Sequence, residues 1–310
     1  MSESFLQIDI DLPRDDTLDV TIALDRQRPF SDLLGYYELL YDEAHPLKDR
    51  GRVILYFPED AELPRMRVEL LLTVLDIEDY QLIETRIDRE DYQNSYKEHF
   101  HPIVLEGRIS IIPEWHRGTP SETEALGDPD AGKRRLPLYL DPGMAFGTGT
   151  HPTTRLCLEA LDRRVKPGLR VSDAGCGSGV LSIGAALLGA ERVLAFDIEE
   201  NAIQASRHNF ALNPTCEGRI TLYRGGFDLP EFKNFLESAD LVIANVTAAV
   251  LAKHRDQLSQ GNHDRLILSG VWREHREEVE AAFTPMFDTR WRTEDVRELE
   301  GWLLFDLTRI

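Results

Sequence analysis

From residue 169 onward the chain repeats one pattern that few folds accommodate: a short apolar run, a turn, then a stretch of helical character. The apolar runs are LRVSDA, RVLAFDI, RITLYRG, LVIANV and RLILSGV, and GVLSIGAALLGA, NAIQASRHNFALN and TAAVLAKHRDQLS stand among the stretches between them. Near-continuous apolar strands are those buried on both faces, and strand–helix alternation brings successive strands side by side in parallel. The pattern predicts α/β architecture, a doubly wound, Rossmann-like domain with a mainly parallel sheet. The last two runs, TRWRTED and GWLLFDLTRI, are too close together for a crossover helix and predict an antiparallel hairpin.

In such a sheet a ligand sits beyond the carboxyl ends of the strands. VSDAGCGSG puts Asp173 at one of those ends, followed by Gly175, Gly177 and Gly179. Glycines there let the backbone turn tightly and approach a ligand. Position 180 is Val, so the dinucleotide spacing G-x-G-x-x-G is not met, and no Gly-Lys-Ser/Thr follows to make a Walker loop. An adenosine ligand without a pyrophosphate remains. Asp197 ends the next run, 22 residues beyond Gly175, near where a carboxylate grips a ribose diol. An N-cap for the following helix is the structural alternative, and the two roles are compatible. Asn245 ends the fourth run, with an amide that both donates and accepts, or serves as a turn residue.

This set resembles the class I S-adenosylmethionine-dependent methyltransferases, and LDPGMAFGTGTHPTT at 140–154 narrows the resemblance to the ribosomal protein L11 methyltransferase family. The likeness continues through DAGCGSGVLSIGAALLGA, AFDIEENAIQASRHN, ANVTAAVL and LSGVWREHREEVEAAF, and spans about residues 90–310. The first ninety residues match only loosely, mainly through YFPED. The resemblance implies a seven-stranded class I methyltransferase sheet and S-adenosyl-L-methionine as cofactor. It implies that Thr154, Gly175, Gly177, Asp197 and Asn245 bind that cofactor, with Phe146 and Thr148 lining its methionine and methyl end. It further implies N-methylation of protein amines, lysine side chains and the N-terminal amine of ribosomal protein L11.

Methyl transfer from a sulfonium needs alignment and a dry site more than a nucleophilic side chain, so no catalytic residue and no metal are expected. His151, before Pro152, is read as a turn or cap residue rather than a general base. The chain departs from the family pattern at NVTAAVL (245–251) and SQGNHDR (259–265), on the wall that faces substrate. The alternatives are a lysine methyltransferase for another basic protein, since substrate choice lies in the loosely matched first ninety residues, then an RNA methyltransferase sharing the cofactor fold, and a cofactor-binding protein without turnover.

Residues 1–87 predict a small α+β, ferredoxin-like domain for substrate recognition. LQIDIDL, RVILYFPED and QLIETRI read as strands, and residues 62–76 as a helix with Pro64 in its first turn. Within 17–42 the period is ambiguous: LDVTIAL alternates like a strand, whereas FSDLLGYYELL could begin as a helix. Tyr92, Tyr96 and Phe100 share one face of a predicted linker helix over 88–100, and residues 101–310 form the methyltransferase domain. The stretch 117–135, rich in Gly, Pro and charge, is expected to be a surface loop.

A net charge of −20 without a basic stripe argues against direct nucleic-acid binding. The acidity fits either solubility or a basic protein partner such as L11. Cys157, Cys176 and Cys216 lack the spacing of a disulfide framework or a zinc site. No stretch resembles a signal peptide or a membrane span, and a cytoplasmic location is expected.

Overall fold

The computed structural model describes residues 4–27, 29–40, 46–88, 97, 100–128, 134–141, 149, 151–284 and 290–310. The chain divides into two compact units, Met1–Phe100 and His101–Ile310.

In the first unit the elements run β1 (Ser4–Pro13), α1 (Arg14–Gln27), β2 (Gly35–Leu40), β3 (Arg50–Pro58), α2 (Pro64–Val74) and β4 (Gln81–Asp88). The sheet order is β2-β3-β1-β4 and every neighbouring pair is antiparallel, the ferredoxin-like arrangement expected. Leu6, Ile8, Ile10 and Leu12 alternate along β1 and bury its core face with Val53, Leu55 and Phe57 of β3. The ambiguous stretch resolves against its local alternation. Arg14–Gln27 is helical because Thr17, Val20 and Leu24 fall at helical intervals and are all buried, and the Thr17 hydroxyl donates to the Arg14 carbonyl at 2.8 Å. Gly35–Leu40 is extended because β3 offers it a free edge, with which it pairs from Gly35↔Tyr56 to Leu40↔Gly51.

The second unit begins with a small sheet, β5 (Ile103–Val104), β6 (Ile109–Pro113) and β7 (Leu136–Leu140), in that order. Between β6 and β7 lies α3 (Pro120–Leu126), where the sequence predicts only loop. The helix forms because Thr119 caps it and Pro120 starts it, while Glu122 accepts from the Gly118 amide at 2.5 Å and its own amide donates to the Thr119 hydroxyl at 3.3 Å. Ala125 and Leu126 then bury against Ile112. The expected linker helix lies, apart from three residues, outside the described residues.

The main layer follows: α4 (Pro152–Arg164), β8 (Arg170–Ala174), α5 (Val180–Leu187), β9 (Arg192–Asp197), α6 (Glu200–Leu212), β10 (Ile220–Arg224), α7 (Pro230–Leu236) and β11 (Leu241–Asn245). After these come α8 (Ala248–Lys253), α9 (Arg255–Ser259), β12 (Arg265–Trp272), α10 (Arg276–Phe283), β13 (Trp291–Leu299) and β14 (Trp302–Arg309). The seven strands order as β10-β9-β8-β11-β12-β14-β13. β8 to β12 are parallel, and β14 runs antiparallel between β12 and β13. The hairpin turn is Glu300–Gly301, both at positive φ, which matches the twist of the strands it joins. Strand order reverses between β8 and β11. At such a switch point a doubly wound sheet holds its ligand crevice beyond the carboxyl ends, and Gly175, Gly177, Asp197 and Asn245 lie at or just beyond those ends.

Candidate functional site

The Asp197 side of the crevice is made mostly of backbone. Gly175, Gly177 and Gly179 all adopt positive φ, at 75°, 54° and 80°. The need for glycine is plainest at Gly175, where a Cβ would stand 2.5 Å from Val246 Cγ1. The amides of Gly175 and Cys176 donate to the Phe196 carbonyl at 2.9 and 3.0 Å, tying the loop to β9. Asp197, the last residue of β9, completes the tie. Its Oδ2 accepts from the Gly177 amide and its Oδ1 from the Glu199 amide, each at 3.0 Å. The N-cap of α6 is Glu199, so Asp197 braces the loop instead of capping the helix. Each carboxylate oxygen has lone pairs to spare for two ligand hydroxyls. From α6, Ser206 donates to the Gly177 carbonyl at 2.8 Å and Asn209 to the Ser178 carbonyl at 2.9 Å.

Beneath the loop Asp173 is fully buried. Ser182 donates to its Oδ2 at 2.6 Å, but its Oδ1 has no partner among the described residues. Burial raises this carboxyl to about 7, the charge of Asp197 adds to the rise, and the Ser182 hydrogen bond opposes it. Asp173 is not among the cofactor residues that the resemblance implies. The signal was available: an acid inside an apolar strand, two residues before the first glycine of the turn.

The Asn245 side is made of side chains from distant parts of the chain. His151 caps α4, its Nδ1 accepting from the Thr153 amide at 3.3 Å, as expected of a residue before Pro152. The Thr153 hydroxyl lies 2.7 Å from the same Nδ1 and accepts from Asn245 Nδ2 at 3.2 Å. Asn245 supplies the hydrogen in the second bond, so Thr153 donates its own to His151. The imidazole is therefore neutral, with Nδ1 unprotonated, in agreement with burial pushing it down to about 4. Such a histidine is a fixed wall, further braced by the edge of Trp302 with ring centroids 4.7 Å apart.

Two buried oxygens on this side lack partners among the described residues, Asn245 Oδ1 and Thr154 Oγ1, as does the Trp302 indole Nε1. The turn after Asn245 is gripped from both flanks. Gly175 touches Val246 on one, and on the other Gly270 (φ +84) would place a Cβ 2.3 Å from the Val246 carbonyl oxygen. Gly270 sits where the β12–β14 register shifts, a local irregularity that only glycine permits at this approach.

Of the expected cofactor residues, Gly175, Gly177, Asp197 and Asn245 lie at or just beyond the carboxyl ends of β8, β9 and β11, and Thr154 follows Thr153, which bonds Asn245, while Phe146 and Thr148 lie outside the described residues. Thr153 and Gly270 were not among them. Their roles depend on contacts to Asn245 and Val246, far away in sequence. Three unpartnered buried oxygens, a ribose-competent carboxylate and a glycine turn without side chains fit a ligand that carries hydroxyls and an ammonium. Among the described residues, Glu114, Asp141 and His208 gather closely enough to hold a cation. They form a partly exposed cluster, with His208 Nε2 3.4 Å from Asp141 Oδ2. The three cysteines are free and buried, and burial pushes each thiol up. No helix among the described residues is long and apolar enough to cross a membrane.

A family model described as "Ribosomal protein L11 methyltransferase (PrmA)" matches residues 18–309. The ribosomal protein L11 methyltransferase of Pseudomonas aeruginosa (strain LESB58) is 38% identical over 261 residues, covering 83% of this chain and 81% of the relative. That of Cupriavidus necator is 38% identical over 265 residues, covering 84% and 79%. Among solved structures, the ribosomal protein L11 methylase of Lactobacillus delbrueckii subsp. bulgaricus superposes with a TM-score of 0.56 at 30% identity, covering 68% of this chain and 99% of that one.

Proposed function

The chain belongs to the ribosomal protein L11 methyltransferase family, and from that premise we propose that it methylates amines of ribosomal protein L11, at lysine side chains and at the N-terminus. S-adenosyl-L-methionine, the cofactor of this class, supplies an activated methyl group on a sulfonium when bound.

The observation that carries the reading is the set of buried acceptors left without donors, Asp173 Oδ1 and Asn245 Oδ1, beside the Asp197 carboxylate. Asp197 would accept from the ribose diol while the Gly175–Gly179 turn accommodates the nucleoside. Asp173 would face the cofactor's ammonium, the cation its buried charge lacks. Thr154 and Asn245 would hold the methionine end, joined there by Phe146 and Thr148. His151, neutral and already accepting at Nδ1, is a positioning residue. It holds Thr153, and Thr153 holds Asn245.

An acceptor amine must be uncharged to attack, and desolvation in a crevice lowers its pKa. No side chain here has to take a covalent part, which agrees with an active site built for alignment. The first unit would hold the protein substrate, and the second would carry the chemistry. A ribosomal substrate would place the enzyme in the cytoplasm.

The test uses the purified protein, labelled S-adenosylmethionine and ribosomes from a strain lacking such activity, with protein and RNA counted separately. Label on L11, assigned by mass to amines, is the expected result. Label in RNA or on another protein would overturn the substrate.

A further inference from the structure

The first unit carries an apolar face that its own fold leaves uncovered. Helix α2 buries Pro64, Val68, Leu71 and Leu72 against the sheet, as an amphipathic helix should. Its outer face is apolar as well. Met66 is 56% exposed, Leu70 64% and Val74 70%, and Leu63, just before the helix, is 64% exposed. Residues four apart in a helix drift by 40°, so Met66, Leu70 and Val74 lie within an arc of about 80°; with Leu63 they make a stripe roughly 16 Å long. Isolated exposed leucines are ordinary, but an aligned row of four large apolar side chains is the signature of an interaction surface. Leu63 also holds a left-handed backbone (φ 47°, ψ 48°), which a bulky residue adopts only under constraint.

Charge identifies the occupant. The two cations of the helix are engaged, Arg65 with Glu69 at 3.1 Å and Arg67 with Asp32 at 2.8 Å. Asp60 and Glu62 lie before the stripe, Asp76 and Glu78 after it, all exposed. Among the described residues none of these four has a cationic partner. An apolar row closed at both ends by unneutralised carboxylates repels a second copy of itself. It suits a partner with an apolar patch flanked by lysines or arginines.

We propose that the Leu63–Met66–Leu70–Val74 stripe of α2, with its acidic ends, is the docking face for the basic protein substrate. This rests on the functional reading above and assigns it a surface. The stripe touches no reacting atoms, so its contribution belongs in KM rather than kcat.

The experiment measures initial rates of methyl transfer to purified L11, across a range of L11 concentrations, with the full-length enzyme. The variants are Leu70→Asp with Val74→Asp, the milder Leu70→Gln with Val74→Gln, and Glu62→Gln with Glu78→Gln. Cofactor affinity and melting temperature are measured alongside to show that each variant is folded. Both apolar-stripe variants are expected to raise KM for L11, the aspartate pair by at least about tenfold, with kcat and cofactor affinity unchanged. The charge variant should raise KM about threefold and weaken its salt dependence. Variants that methylate L11 with KM within about twofold of the parent would overturn the docking face and leave the functional reading intact. A parent enzyme that never labels L11 would overturn the reading itself, and this assignment with it.

Discussion

The two sides of the crevice hold their residues by different means. On the Asp197 side the contacts stay within one strand–turn–helix–strand–helix stretch: Gly177 to Asp197 across 20 residues, Asp197 to Glu199 across 2, Ser206 to Gly177 across 29. The donors and acceptors are largely backbone, and the conformation demands glycine. On the Asn245 side Thr153 reaches Asn245 across 92 residues, and Gly270 meets the Val246 carbonyl. A short-range backbone motif leaves its mark as a string of letters. A long-range side-chain network leaves only scattered polar residues whose meaning depends on which strands become neighbours.

The sharpest way to break this contrast is Gly270→Ala. The new Cβ meets backbone rather than a flexible side chain, and φ is left-handed, so roughly 3 kcal/mol or more of stability should be lost. Urea unfolding measures it. Near-parental stability would mean that the Asn245 turn is not clamped.

Next is Asp173, beneath the loop. Its carboxyl titrates near 7 in the folded protein against 3.8 ordinarily, so the folded state binds the proton more tightly. The stabilisation is full below about pH 4 and disappears as pH rises toward 7. Asp173→Asn removes this dependence. The variant should gain on the parent by up to a few kcal/mol between pH 5 and 8 in the cofactor-free protein. A constant difference across that range would contradict a buried carboxyl with one oxygen unpartnered.

Asp197→Ala probes the local side. Losing an acceptor for two ribose hydroxyls should weaken cofactor binding about 30- to 100-fold by calorimetry, with stability changed by only about 1 kcal/mol. Affinity within about threefold of the parent would remove Asp197 from the ribose. The smallest effect is expected from Thr153→Val, about 1 kcal/mol of stability and a few-fold in cofactor affinity. An equal loss of affinity in Thr153→Val and Asp197→Ala would erase the distinction between the sides.

The same distinction runs through the fold. The parallel sheet was legible because its strands are apolar on both faces and punctuated by glycine turns. The helix over Arg14–Gln27 was not, because its seven-residue core LDVTIAL alternates, and only the wider spacing of Thr17, Val20 and Leu24 separates helix from strand. Nor was α3, whose composition reads as loop while its Thr119–Glu122 cap and the burial of Ala125 and Leu126 make it a helix.

By itself the sequence determined the α/β class, the glycine turn after β8 and the acid at the end of β9, since each follows from periodicity or from conformations that only glycine adopts. The tertiary structure decided that Asp197 braces the loop rather than capping α6, that Thr153 joins His151 to Asn245, and that Gly270 admits the Val246 carbonyl. It also decided that the outer face of α2 stays bare, because burial depends on what packs against a residue, and one strand of letters does not say which others will come to lie beside it.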